Sequence, residues 1–334
     1  MITNARVLRP EFVPRDVVHR DAEVSHLSSA LHPLTNGNPA ESALLCGPSG
    51  AGKTCTARFT LQRLRENTLN VASQYVNCWE DSTRFKLLYR LLEGLDRSLD
   101  IHRQSTPKDE LLERLRDHES PPYVVILDEV DQLENTDVLY DLYRTPDLTM
   151  VLIANGEEEL FARLDERLVS RLQTATRVHF EKYGLDELVS ILEDRNHWGL
   201  REGVVTTDQL TTIADAAAGD ARVAIGILRT AANRADQHNK ESISNESIRE
   251  AVPEAKAEIK QKHTEKLTPD QRTLYDIIVK RGDVASGELY ERYTDRVSDP
   301  KTKRMVRNYL QKLRHYNLII AEGENRGRSY QSVS

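Results

Sequence analysis

The segment Gly47-Pro-Ser-Gly-Ala-Gly-Lys53-Thr54 constrains this chain more than any other feature. Its glycine spacing lets the backbone curl with successive N–H groups pointing inward, and such a loop works only between a strand and a helix. Both flanks comply. Ser42–Cys46 predicts a strand, and Lys53–Glu66, with Ala57, Leu61 and Leu64 at one-face spacing, predicts a helix. A loop of this kind cradles phosphates: the N–H groups of Gly50, Ala51, Gly52, Lys53 and Thr54 turn inward, the Lys53 ammonium reaches the outer phosphates, and the Thr54 hydroxyl is available to Mg2+.

A phosphate loop predicts a carboxylate partner further along the chain. Val124-Val-Ile-Leu-Asp128-Glu129 supplies it, as a continuous apolar run, expected to be buried on both faces, that ends in two acids. At a strand's C-terminal end Asp128 can hold Mg2+ through water, and Glu129 can orient or polarise an attacking water. Asp131 is expected at the surface. The next apolar run, Val151-Leu-Ile-Ala-Asn155, ends in an amide that could reach the γ-phosphate or that water. Further strands at Val71–Val76 and Thr176–Phe180, alternating with helices such as Arg84–Leu99, predict an α/β parallel sheet. After Tyr183 only helices are expected: Leu185–Arg195, Asp208–Ala218, Ala221–Gln237 and Asn245–Ala251. Three arginines are candidates for the transferred phosphate: Arg222, in Gly219-Asp-Ala-Arg222 at a helix start, and Arg167 and Arg171, either of which could act as a finger across a subunit interface.

The end of the chain has a different charge. Lys266–Ser334 holds fourteen Lys and Arg against nine Asp and Glu, so that stretch is +5 and the remainder −12 in a chain of net charge −7. Segregation of this kind suggests an anionic partner for one end only. Helices at Pro269–Arg281, Ser286–Tyr293 and Pro300–Tyr316, then strands at Leu318–Ala321 and Ser329–Val333, follow the winged-helix plan. The third helix is expected to bury Val306, Tyr309, Leu310 and Leu313 and to carry Lys303, Arg304, Arg307 and Asn308 on other faces. That pattern suits the major groove of DNA, and Arg326 and Arg328 on the wing suit the minor groove or phosphates. The apolar runs are far too short to cross a membrane. Cys46, Cys55 and Cys78 are an odd number with no CxxC pair and read as reduced thiols of a cytoplasmic protein.

The order of these parts resembles the AAA+ ATPases. Tyr75-Val-Asn-Cys78, Phe180-Glu-Lys-Tyr183, Ile191-Leu-Glu-Asp-Arg195, Gly219-Asp-Ala-Arg-Val-Ala-Ile225 and the terminal winged helix together resemble the archaeal origin-recognition/cell-division-cycle replication initiators. The likeness runs from Phe12-Val-Pro14 and His19-Arg20 to Gly327-Arg328. It implies an ATP/ADP- and Mg2+-binding core over residues 1–181, a helical lid over 182–253, a linker over 254–267 and a winged-helix domain over 268–334. It further implies nucleotide contacts from Tyr183 and Arg195, and a DNA-touching helical insertion within 79–109 carrying Arg84, Lys86, Arg90, Arg97, Arg103 and Lys108. The family often has arginine at the position of Arg167 but not of Arg171, which leaves the finger open. The implied function is that of an initiator with slow, regulatory ATP hydrolysis, bound to double-stranded origin DNA as a monomer or DNA-dependent oligomer. Its implied partner is the replicative minichromosome-maintenance helicase, and its place is the cytoplasm, on the nucleoid. The same parts would also serve an ATP-regulated winged-helix transcription factor.

Overall fold

The computed structural model describes residues 1–334 except 69, 103–105, 119–120, 324–326 and 334, and except the side chains of Lys108 and His315. The chain divides into two units, Met1–Val252 and Pro253–Ser334.

The first unit begins with α1 (Asp21–Leu31), β1 (Ala43–Cys46), α2 (Lys53–Asn67), β2 (Ala72–Asn77), α3 (Arg84–Glu93), α4 (Lys108–Arg116) and β3 (Tyr123–Asp128). It continues through α5 (Asp137–Tyr143), β4 (Leu148–Ala154), α6 (Glu157–Phe161), α7 (Glu166–Leu172) and β5 (Thr176–His179). The five strands form one parallel sheet in the order β2-β3-β4-β1-β5. Alternate residues of the central strands feed two cores. Leu44, Val125, Leu127 and Leu152 face the leucines of α3, α4, α5 and α7. Ala43, Leu45, Val124, Ile126, Val151 and Ile153 face α1 and α2. Helices on both faces explain the unbroken apolar runs in the sequence. Because β3, β4 and β1 are parallel neighbours, their C-terminal ends bring Asp128, Asn155 and Gly47 to the same edge of the sheet.

Three helices complete this unit: α8 (Leu185–Gly199), α9 (Thr207–Ala217) and α10 (Ala221–Gln237). A capping box of Thr206 with Gln209 starts α9, and Asp220 starts α10 by accepting from the backbone N–H groups of Arg222 and Val223. Such caps contribute on the order of 1 kcal/mol each.

Two boundaries differ from the sequence expectation. The helix expected over Arg84–Leu99 stops at Glu93, where Gly94 caps it and the chain turns through Asp96 at φ 56°. The helix expected at Asn245–Ala251 and the helical connector expected at Glu254–Glu265 are one element: α11 (Asn245–Glu265) runs through Pro253. A proline inside a helix forfeits one backbone hydrogen bond and tends to kink it, and the division into units falls at that residue.

The second unit holds α12 (Pro269–Arg281), β6 (Asp283–Ala285), α13 (Ser286–Thr294), α14 (Lys303–His315), β7 (Ile319–Glu322) and β8 (Ser329–Ser332). Thr268 and Gln271 form a capping box on α12, with Pro269 at the first helical position. The antiparallel order β6-β8-β7 includes a short strand that sequence reading missed. Gly282, at φ 81°, turns the chain into it. This connectivity fits the winged-helix plan. Among the described residues no helix is long and apolar enough to cross a membrane.

Candidate functional site

The glycine loop is shaped by what presses on it. Gly50 lies at φ 76°, and a Cβ there would fall 2.1 Å from Asp220 Oδ1. Gly52 lies at φ 93°, and a Cβ there would fall 2.3 Å from the Tyr183 hydroxyl. Any side chain at either position is excluded by both strain and space. Ala221 N donates to Gly50 O at 3.2 Å, so the start of α10 is fastened to the loop directly.

Lys53 is buried at the head of α2 and donates to Gly47 O (2.6 Å), Pro48 O (2.8 Å) and Asn155 Oδ1 (3.0 Å). Burial lowers its ammonium pKa to about 8; the Asp128 charge opposes that shift and the Arg222 charge adds to it. Thr54 Oγ1 donates to Asp128 Oδ2 at 2.7 Å, Tyr75 donates to the same oxygen at 2.8 Å, and Glu129 N donates to Asp128 Oδ1 at 2.9 Å. Asp128 is only 5% exposed. Burial raises its pKa, while the hydrogen bonds from Thr54 and Tyr75 and the Lys53 charge hold it down. Tyr75 in turn stays a protonated donor, its pKa raised by burial first and then by the Asp128 charge. Glu129 sits at φ 55°, a left-handed conformation that costs a non-glycine residue roughly 1–3 kcal/mol and is typical of functional turns.

These groups fit a nucleotide triphosphate with its metal. The loop leaves no room for side chains, one ammonium and one amide meet beside it, and Thr54 and Asp128 offer the hard oxygen donors that Mg2+ takes.

Arg222 reaches across from the lid: its guanidinium donates to Ser49 Oγ in the loop and lies 3.5 Å from the Asp220 carboxylate. Its Nε is buried without a hydrogen-bond partner among the described residues. Tyr183 stands against Gly52 as noted, and Arg20 lies over its ring at 3.9 Å. Arg20 also donates to Ala51 O (3.0 Å) and Glu181 O (2.7 Å), so it ties the loop to the segment after β5. Sequence reading gave Arg20 no role; a lone arginine ahead of an amphipathic helix carries no signal of its own.

Arg195, for which the resemblance implies a nucleotide contact, also has partners within the chain. Its guanidinium is buried, donates to Val7 O (2.9 Å) and Phe12 O (3.2 Å), and lies over the Phe12 ring. It secures the N-terminal segment. Asp131, expected at the surface, instead has its Oδ1 buried without a hydrogen-bond partner among the described residues. The Asp131 charge is also felt at both Lys53 and Arg163.

Arg167 and Arg171 lie together on α7, exposed, with guanidinium groups 5.0 and 5.7 Å from the Tyr140 ring. They differ in their partners. Arg167 is paired with Asp165 at 2.8 Å, whereas Arg171 also stacks on Tyr143 at 5.4 Å. In the segment expected to touch DNA, several cations already have partners. Arg84 meets Asp141 at 2.5 Å, Arg90 meets Asp81 at 3.0 Å and Glu93 at 2.8 Å, and Arg97 donates to the carbonyls of Arg114 and Asp117. Arg103 lies outside the described residues, as does the side chain of Lys108.

In the second unit α14 buries Val306, Leu310 and Leu313. Tyr309, expected in that core, is only half-buried, and Lys312 is buried instead. Lys303, Arg304, Arg307 and Asn308 are all exposed on this helix, and Lys303 lies over the Tyr290 ring at 5.1 Å. Arg328 is half-buried beside β8, and Arg326 lies outside the described residues.

A parallel β2-β3-β4-β1-β5 sheet that gathers a phosphate loop, a strand-end Asp-Glu pair and a lid arginine at one edge defines an AAA+ nucleotide-binding ATPase core. Comparison with known proteins agrees. Residues 37–164 match the AAA domain model and residues 189–253 the Cdc6 AAA+ ATPase-type lid domain model. ORC1-type DNA replication protein 9 of Halobacterium salinarum is 52% identical, over 100% of this chain and 94% of its own length. ORC1-type DNA replication protein 1 of the same organism is 57% identical, over 92% of this chain and 100% of its own. Among solved structures, the Aeropyrum pernix ORC1 protein in complex with DNA superposes with a TM-score of 0.78 at 25% identity, covering 99% of this chain and 92% of that one. The chain belongs to the archaeal Orc1/Cdc6 family of AAA+ replication initiators, the ORC1-type DNA replication proteins.

Proposed function

We propose that this protein is an ATP-switched initiator that binds double-stranded origin DNA and recruits the replicative minichromosome-maintenance helicase. The observation that carries the switch is the contact between Arg222 of the lid and Ser49 of the phosphate loop. An arginine so placed can bond a γ-phosphate and change its hold when that phosphate leaves. Lys53 and the loop amides bind phosphate oxygens, Thr54 and Asp128 hold Mg2+, and Glu129 and Asn155 place the attacking water. When bound, the metal neutralises charge building on the phosphate oxygens. Hydrolysis is slow and regulatory, with Arg167 or Arg171 of a second copy completing the site on DNA. Arg171 is the better placed of the two, because it has no ion pair among the described residues and two tyrosine rings to orient it.

DNA binding by the second unit is supported by the exposed cations of α14 and by the DNA seen with the Aeropyrum pernix relative. If α14 and the wing neutralise about four phosphates, log K for a duplex falls against log salt with a slope of roughly −3.6. Arg328→Ala flattens that slope by about one unit if it meets only phosphate. Arg307→Ala or Asn308→Ala reduces discrimination between two duplex sequences if they reach base edges. A salt series on both duplexes separates these outcomes, and binding indifferent to salt would remove the DNA reading.

Arg222→Ala tests the switch. The chain still binds ADP, but the difference in protease sensitivity between its ATP and ADP forms disappears. Survival of that difference would show that Arg222 is not the sensing group.

A further inference from the structure

We infer that Tyr75, on the edge strand β2, is a positioning residue for the Asp128 carboxylate and through it for the divalent cation that accompanies the nucleotide. This rests on the reading of Asp128 as the magnesium carboxylate. The sheet makes the contact possible. In the parallel pairing of β2 with β3, Tyr75 lies opposite Ile126 and Asn77 opposite Asp128. Residues two apart on a strand share a face, so Tyr75 and Asp128 both look toward α2, where Tyr75 packs on the cluster containing Val124 and Ile126.

The carboxylate plane of Asp128 is fixed by three donors: Thr54 Oγ1 (2.7 Å) and the Tyr75 hydroxyl (2.8 Å) on Oδ2, and Glu129 N (2.9 Å) on Oδ1. They are not equivalent. Thr54 offers its own oxygen to the cation, and Glu129 belongs to a turn that carries a reacting group. Tyr75 is the donor that can hold Oδ2 without itself standing at the cation. The aromatic ring has a separate task. Its face carries the Arg58 guanidinium at 5.4 Å and lines a cleft of about 570 Å³ with Val13, Gln62 and Arg65. Ring packing and the hydroxyl contact are therefore separable by removing one oxygen atom.

The test uses Tyr75→Phe in the full chain, with fluorescent ADP titrated in EDTA and again with Mg2+. The expected result is an unchanged affinity in EDTA and a loss of about tenfold from the Mg2+-dependent gain, the scale of one hydrogen bond to a charged group. An Mg2+ gain equal to that of the unaltered chain overturns the proposal. So does an equal loss under both conditions, which would make Tyr75 a packing residue only. Asp128→Asn is measured alongside: if it keeps the full Mg2+ gain, the metal reading of Asp128 fails and Tyr75's role with it. If only Tyr75→Phe keeps the gain, the metal reading stands and the Tyr75 role alone is lost.

Discussion

Lys53→Ala removes measurable nucleotide binding while the chain stays folded. The ammonium is held at the loop by two loop carbonyls and Asn155 within 3.0 Å, and a phosphate oxygen can replace one of these acceptors with a stronger, charged one. A hydrogen bond from a charged group contributes roughly 1.5–3 kcal/mol, and losing two or more of them weakens binding by at least about a hundredfold. The fold is spared because alanine also favours the first turn of a helix and the carbonyls released lie at a solvent-reachable loop. Titration with fluorescent ADP and far-ultraviolet circular dichroism check the two halves of this expectation. An unchanged affinity would sink the phosphate-loop assignment.

Glu129→Gln binds ATP as before and hydrolyses it about 10²–10⁴ times more slowly, the range a positioned general base contributes. Glutamine keeps the size and the hydrogen-bonding reach of the side chain, so the left-handed turn at φ 55° gains no new strain. Only the capacity to take a proton is lost. Single-turnover hydrolysis measured beside nucleotide affinity reads both effects, and normal turnover would make Glu129 a residue of the turn alone.

What could be read from the sequence was what local spacing encodes. The phosphate loop, the buried strands ending in Asp128 and Asn155, and the helix start at Arg222 all follow from residues within a few positions of one another. The sheet order makes these separate signals neighbours. What could not be read is what long-range packing decides. Tyr75 meets Asp128 across 53 positions, Arg20 meets Glu181 across 161, and Arg195 meets Val7 across 188. No periodicity announces such pairs. Asp131 looked like a surface acid because acidic residues usually are, and only the fold turns one of its oxygens inward. The short strand β6 escaped notice because three residues give too little alternation to recognise, and its identity comes from pairing with β8.

The charges of α3 show the opposite limit. The resemblance implies a DNA-touching segment that includes Arg84, Lys86 and Arg90, yet Arg84 and Arg90 are held by carboxylates of this same chain. The Arg84–Asp141 and Arg90–Asp81 pairs are part-buried, so a phosphate backbone has to compete with carboxylates already in place. The basic face of α14 needs no such exchange for Lys303, which rests on Tyr290 rather than on an acid.

We propose that ATP binding and DNA binding in this chain serve the start of replication. Genome-wide mapping of the DNA bound by the chain in its own cells, compared with positions where nascent strands begin, tests it most directly. The expected result is a few discrete sites that coincide with replication starts, weakened by Lys53→Ala and by loss of the α14 cations. Binding spread over promoters, with no enrichment where replication begins, would contradict it and assign the same ATP switch and DNA-binding unit to transcription.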